Sequence, residues 1–379
     1  MTVLLENQII ETDGLCRSPE DAIEPIIQAS PPVGLEEFYL GQPMSYRGIT
    51  MVPLFLSNPE PFRYLSLKQA LEQKTIQFEE LGEEGVVPEI LVNNLGDTPV
   101  MLMDGEEVIG LKQNRVFAST VFLRSKTQTS VPVSCVEKQR WAYRDDENIK
   151  SINMLEQSIR FQQMKFAHSI SGNNSTVNYN QENIWYGIHL LLEKAGTWSH
   201  GSALKDVYQQ KRIKLNRFCK AFPAQSGQNG MILLRGNIPL GMDVFSNPDV
   251  FQQNHCKLVS SYVLDSLLEK PQRAVSSCRA SAIAGEFATQ ANESNLTPRE
   301  SLGLGATLQV DSSGMIGSVL VCKNIPIHSA FLAKPRSAPD SLLDEDREGI
   351  WTCSNMVELF DTENAFPLIR EYDYMDPTL

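Results

Sequence analysis

The 379-residue chain contains no run of about 18 apolar residues, which removes a membrane-spanning helix by the length rule. Its first 30 residues hold no basic stretch leading into an apolar one, so no secretory signal is expected. Histidine is scarce. The five His, at 168, 189, 200, 255 and 328, show no HxH, HxxxH or HExxH spacing, and no metal site is expected. Neither GxGxxG nor GxxxxGK[ST] occurs, so the familiar phosphate-cradling glycine loops are missing, and no cofactor is assigned. The seven Cys are odd in number, scattered and without CxxC. That pattern predicts reduced, mostly buried thiols in a cytoplasmic protein. Basic charge is also short: 33 Lys and Arg against 46 Asp and Glu, with none of the basic footprint of a nucleic-acid binder.

The acidity is uneven. Residues 1–40 carry eight acids and one Arg, and residues 340–379 carry eleven acids and two Arg. Those two ends account for −7 and −9 of the formal charge of −13, which leaves the middle 299 residues at +3. The ends therefore read as solvating arms, residues 1–45 and 336–379. Between them, residues 46–145 are rich in short strands. Glu89–Asn94, Pro99–Met103, Glu107–Leu111, Arg115–Leu123 and Thr129–Val136 are separated by turn signals such as Asp104-Gly105. Residues 146–229 change to helical spacing, over Ile149–Phe166, Gln181–Ala195 and a segment that Ser202 can cap. Residues 230–335 return to strands around a helix opened by Asn247-Pro248. The fold class predicted is α+β, an antiparallel β-sandwich-like core with a helical insertion. A short echo, GNIPLG at 236–241 and KNIPIH at 323–328, predicts two similar hairpins in one sheet.

Two clusters could carry chemistry. The first is Glu106, Glu107, Lys112, Gln113, Asn114 and Arg115. Four polar types in succession make a poor plain strand, whereas Arg and Lys suit phosphate, and Asn and Gln read hydroxyl or amide edges. The second is Cys135, Glu137, Arg140 and Trp141. A thiolate needs a base, and His328 stands at a strand end, so a Cys135–His328–Glu137 triad is arithmetically possible; a buried inert Cys is the plainer reading. Trp141 could stack on a ring or simply close a core.

The segments VPEILVNNLGDTPVMLMDGEEVIGLKQNR, VPVSCVEKQRW, IPLGMDVF and IPIHSAF carry a resemblance that spans roughly Tyr46 to Leu332. The chain resembles the prokaryotic family named for its association with ADP-ribosylglycohydrolases and rhodanese-phosphatases, formerly a domain of unknown function. The resemblance implies a role near ADP-ribose or NAD-derived nucleotides, with the motif residues 105–107, 110, 112–115, 135, 137, 140, 141, 241 and 328 in this sequence.

Three readings follow. In the first, the protein binds or processes an ADP-ribose-type nucleotide. Arg115 and Lys112 would meet phosphate, Asn114 and Gln113 the ribose or an amide, and Trp141 the ring; Glu106, Glu107 or Glu137 would be the base if it is an enzyme. In the second, the same residues form a buried network in a non-catalytic scaffold, and Glu107→Gln or Arg115→Ala lowers the melting temperature. In the third, Cys135 serves a hydrolase. All three stand on one proposition, that the two strand tips meet around a shared hollow.

Overall fold

A computed structural model describes residues 38–334 apart from 58, 60, 61, 83–87, 144–148 and 170–176. Of the arms expected over 1–45 and 336–379, residues 1–37 and 336–379 lie outside the described residues, whereas Phe38–Leu40 and Met44–Tyr46 are strands of the large sheet rather than part of an arm. Strands β1 (Phe38–Leu40) and β2 (Met44–Tyr46) lead into β3 (Ile49–Leu56). Next, β4 (Leu65–Ser66) runs directly into α1 (Leu67–Glu72). A series of short strands follows: β5 (Ile76–Glu80), β6 (Glu89–Asn94), β7 (Val100–Leu102), β8 (Glu107–Val108), β9 (Arg115–Phe117), β10 (Val121–Leu123) and β11 (Thr127–Cys135). Helices α2 (Gln157–Ser169), α3 (Val177–Ala195) and α4 (Leu204–Ala221) precede the hairpin β12 (Gly230–Arg235) and β13 (Ile238–Phe245). The chain closes with α5 (Pro248–Leu268), α6 (Ser277–Asn292), β14 (Thr297–Glu300), β15 (Ala306–Asp311), β16 (Met315–Cys322) and β17 (Ile325–Ala333).

The architecture is α+β. A nine-stranded antiparallel sheet runs β1-β3-β12-β13-β17-β16-β15-β14, with β2 added to β3. Alternation along its strands sorts side chains onto two faces. Met51, Met231, Leu233 and Leu332 pack with α2 to α5, whereas Val52, Ile232, Leu234 and Phe331 pack under Ala284, Phe287 and Ala288 of α6. Both echo hairpins lie in this sheet, with β13 beside β17. A third core is enclosed by α1, the three-stranded sheet β10-β7-β4 and the five-stranded sheet β5-β6-β11-β9-β8.

Local chemistry explains the boundaries. Ser66 and Gln69 form a reciprocal capping box at α1. At α5, the Asn247 side chain accepts from the Asp249 amide at 2.9 Å, and Pro248 occupies the first helical position. Three expectations needed correction. The run Arg115–Leu123 is two strands in different sheets, because the chain leaves β9 at Ala118 and joins β7 through β10. Residues 149–156 are extended rather than helical. Lys150 bridges Ile109, Met154 bridges Glu106, and Ile152 points into water. Helix α2 starts only after Glu156, whose carboxylate accepts from the Ser158 and Ile159 amides. Ser202 caps nothing; its φ is +48, and Ser199 instead accepts from the Ala203 amide at 2.8 Å.

The cysteine expectation also changes. Cys219 of α4 and Cys256 of α5 form a disulfide, while Cys135, Cys278 and Cys322 are free. The two sulfurs lie 37 residues apart in sequence, on helices that pack side by side, so no CxxC-type spacing announced them.

Candidate functional site

Strand β9 sits between β8 and β11, with Val108 opposite Arg115 and Arg115 opposite Cys135. The β8–β9 connection is a turn in which Leu111 adopts φ +54 and Gly110 φ +123. Residues 112–114 therefore do not alternate like a strand. Gln113 Nε2 donates to the Glu137 carbonyl at 3.1 Å, and the Asn114 amide donates to Glu137 Oε2 at 3.3 Å. The Val136 amide returns a bond to the Asn114 carbonyl at 2.9 Å. Arg140 clasps the same turn. Its Nε and Nη2 reach Glu137 Oε2 at 2.9 and 2.7 Å, Nη2 also reaches Asn114 Oδ1 at 3.0 Å, and Nη1 donates to the carbonyls of Leu111 and Ala142. The two strand tips named in the sequence thus meet, locked by a guanidinium whose fork matches several acceptors at once.

Arg115 is fully buried and pairs with Glu80 at 2.8 Å. Burial pulls its guanidinium below the usual value and Glu80 pushes it back up. Its expected contact with phosphate is replaced by a position beneath Trp141, with Cζ 5.5 Å from the ring centroid. Lys112, half-buried, holds its ammonium 5.7 Å from Trp141 and 6.0 Å from Tyr143. Trp141 remains 43% exposed and Tyr143 58%. Indole and phenol are left in water beside cations, where a core-closing Trp would be covered.

Cys135 is buried. Its backbone is held by Gln181, whose Oε1 accepts from the amide at 2.6 Å and whose Nε2 donates to the carbonyl at 2.8 Å. Burial raises the thiol's pKa, opposite to what a nucleophile needs. His328 is not brought to it. That imidazole lies in β17 with Nδ1 at 3.3 Å from Thr120 Oγ1 and Nε2 at 3.1 Å from Asp243 Oδ1, so both ring nitrogens are committed elsewhere.

Glu106 and Glu107 are also buried and diverge. Glu106 Oε1 accepts from the Lys257 ammonium and from Ser151 Oγ at 2.5 Å. Glu107 Oε2 accepts from Asn153 Nδ2 at 2.6 Å, and its Oε1 has no partner. Burial pushes the Glu107 carboxyl up to about 7, with Asn153 and Lys205 working against that shift and Glu137 and Asp206 adding to it. Gln113 Oε1 and Asn114 Nδ2 are likewise buried without partners. Three of the residues selected for chemistry therefore keep unspent hydrogen-bonding capacity.

A second network escaped the sequence reading except for His328. Arg160 of α2 bonds Asp104 through Nε (2.7 Å) and Nη2 (3.0 Å) and Asp243 through Nη1 (3.0 Å) and Nη2 (2.8 Å). Tyr262 donates to Asp243 at 2.6 Å, and Thr120 donates to Asp104 at 3.1 Å. Burial alone would raise the Asp243 pKa, but Arg160 and His328 hold it well below the carboxylate range. Two glycines make room. Gly105, at φ +73, passes Arg160; at Gly241 a Cβ would sit 2.9 Å from the Tyr262 hydroxyl. The only advance signals were the Asp104-Gly105 turn and the glycine before Asp243.

Among the described residues no group of three or more His, Cys, Asp or Glu is placed to hold a metal ion, and no helix is long and apolar enough to cross a membrane. Neither the curated proteins nor the solved structures contain a significant match to the chain. Residues 37–332 match the family model described as the ARG and Rhodanese-Phosphatase-superfamily-associated Protein domain, ARPP-1. The match covers most of the chain and includes the meeting strand tips, the Arg140 clasp and the Asp243–His328 pair, so the protein is a member of the ARPP-1 family.

Proposed function

We propose that the protein binds an ADP-ribose-type nucleotide on the face formed by Lys112, Trp141 and Tyr143. The observation that carries this reading is the exposed Trp141 ring, backed by Arg115 and flanked by Lys112 at 5.7 Å. An adenine ring stacks on Trp141, with Tyr143 at its edge, and Lys112 meets phosphate. Gln113, Asn114, Arg115 and Arg140 shape this face from behind. The family's association with ADP-ribose-related proteins supports the ligand class and carries no information on catalysis.

Calorimetry with ADP-ribose tests the reading. The native protein is expected to bind, and Trp141→Ala to weaken binding about tenfold, within the usual worth of one base–aromatic stack. Lys112→Ala should weaken it further as salt is lowered, since the lost term is electrostatic. Absence of binding heat in the native protein rejects the proposal.

The buried pair Arg115–Glu80 favours a compatible structural role. Arg115→Ala is expected to lower the melting temperature by several degrees, because it strands a carboxylate that is 3% exposed. Unchanged melting would show that the junction does not depend on the pair.

A further inference from the structure

The Cys219–Cys256 disulfide joins α4 to α5, and its surroundings differ from those of a buried staple. Cys256 is exposed and Cys219 half-buried. Cys219 Sγ lies 3.8 Å from Ser260 Oγ, and the exposed cations Arg217 and Lys220 share its turn of α4. On either side of Cys256, His255 and Lys257 are buried, so the cysteine is the outward residue of that turn. Lys257 holds the Glu106 carboxylate and donates to Ser151 Oγ at 2.8 Å. At the start of α4, the Leu204 amide donates to the Val136 carbonyl at 3.0 Å and Ala203 bridges Glu137. The bond thus fastens the helix that meets the Glu137 tip to the helix that holds Glu106.

Among the described residues the remaining thiols are not placed to reshuffle with this bond. Cys135 and Cys322 are buried, and Cys278 sits on α6, which covers the opposite face of the large sheet. A co-reactant therefore has to come from solvent, where Cys256 meets it first. Exposed disulfides are the exchangeable kind, since attack needs access to one sulfur and a stabilised leaving thiolate at the other. Here the outward sulfur is that of Cys256, and the leaving group is Cys219, beside a hydroxyl and two cations. The sequence separation of 37 residues takes in both β12 and β13, interior strands of the large sheet. Closing so long a loop restricts the unfolded chain, so the state of the bond acts on the stability of the whole sheet.

We infer that Cys219–Cys256 is a thiol–disulfide exchange site, a clasp that a dithiol reductant opens. One thiolate of the dithiol attacks Cys256 Sγ, forming a mixed disulfide and releasing Cys219 as a thiolate within reach of Ser260 Oγ. The second thiolate then attacks the donor's own sulfur in the mixed disulfide and releases Cys256. Two electrons pass to the protein, the donor leaves as a disulfide, and the two protons it lost end on Cys219 and Cys256. This inference is independent of the nucleotide reading. Dithiothreitol tests it on the full chain, first equilibrated with oxidised glutathione. Alkylation and peptide mass mapping should find Cys219 and Cys256 bonded before dithiothreitol and both alkylated after it. Opening should need no denaturant and proceed within about tenfold of the rate at which dithiothreitol reduces oxidised glutathione. Reduction should lower the melting temperature by about 8 °C, and reoxidation should restore it. Cys256→Ser should melt at the lower temperature with or without dithiothreitol, whereas Cys278→Ser should keep the full shift. Failure of the bond to form in oxidised glutathione, reduction only in denaturant, or a melting temperature that ignores reduction overturns the proposal.

Discussion

Arg160→Ala is expected to be the most damaging single substitution in the molecule, costing on the order of 5 kcal/mol. The guanidinium is 1% exposed and holds two carboxylates that water does not reach. Removing it leaves Asp104 and Asp243 as buried charges of like sign, with only Thr120, Tyr262 and His328 to share between them. In a domain of this size the melting temperature should fall by roughly 10 °C or more. Arg160→Lys keeps the charge but not the planar fork, so an intermediate loss is expected. Thermal melts at pH 7 decide the matter, and a drop of only a degree or two for the Ala variant would mean that the network adds little to the fold. The loss should ease only as pH falls below the ordinary aspartate value. The Asp243 pKa is depressed in the folded native protein, so the stability it contributes is present above its unfolded value and lost as pH drops through the folded one. The Ala variant has no such stability to lose.

Glu107→Gln should act in the opposite direction. Burial raises the Glu107 carboxyl from 4.5 to about 7, so below 4.5 the group is protonated in both folded and unfolded chains. Between 4.5 and about 7 the unfolded chain releases the proton and the folded one retains it. Native stability therefore declines across that window, by on the order of 3 kcal/mol from this group. The amide cannot ionise, and it still offers an acceptor to Asn153. The variant is expected to match the native protein near pH 4.5, to exceed it progressively up to about pH 7, and to keep a constant margin above that. Denaturant titrations at several pH values read the difference, and parallel curves for the two proteins would rule out the assignment. This sign is opposite to the expectation, drawn from the sequence under the scaffold reading, that Glu107→Gln lowers the melting temperature. A buried carboxylate without a matched cation is a cost that neutralisation relieves, and the sequence does not show which acids are matched. Glu106 has Lys257; Glu107 has an amide.

The contrast extends to the whole fold. Elements fixed by short-range chemistry were legible. Asn247-Pro248 marks a helix start through capping and φ preferences that operate over a few residues. The KQNR and SCVE tips do meet, bonded directly to each other through Glu137 and Arg140. What stayed hidden depends on distant partners. The break between β9 and β10 follows from Thr120 joining Asp104 and His328, the latter 208 residues away. Residues 149–156 have helical spacing but yield to pairing with β8, which places Ser151 and Asn153 against the two glutamates. Arg160 looks like any solvated helix position until Asp104 and Asp243 are brought around it. The Cys219–Cys256 bond needs two helices whose packing no local pattern encodes.

The order of the large sheet bears on how the protein is made. Strand β3, buried along nearly its whole length, lies between β1 and β12 and pairs Leu54 with Gly230, so its inner partner follows about 180 residues later. At ordinary elongation rates of 5–20 residues per second, an oily strand waits roughly 10 to 35 seconds on the ribosome with one edge open. Nascent chains should therefore engage a holding chaperone over that interval, and fusions truncated before residue 230 should collect in the insoluble fraction while those extended past residue 333 should not.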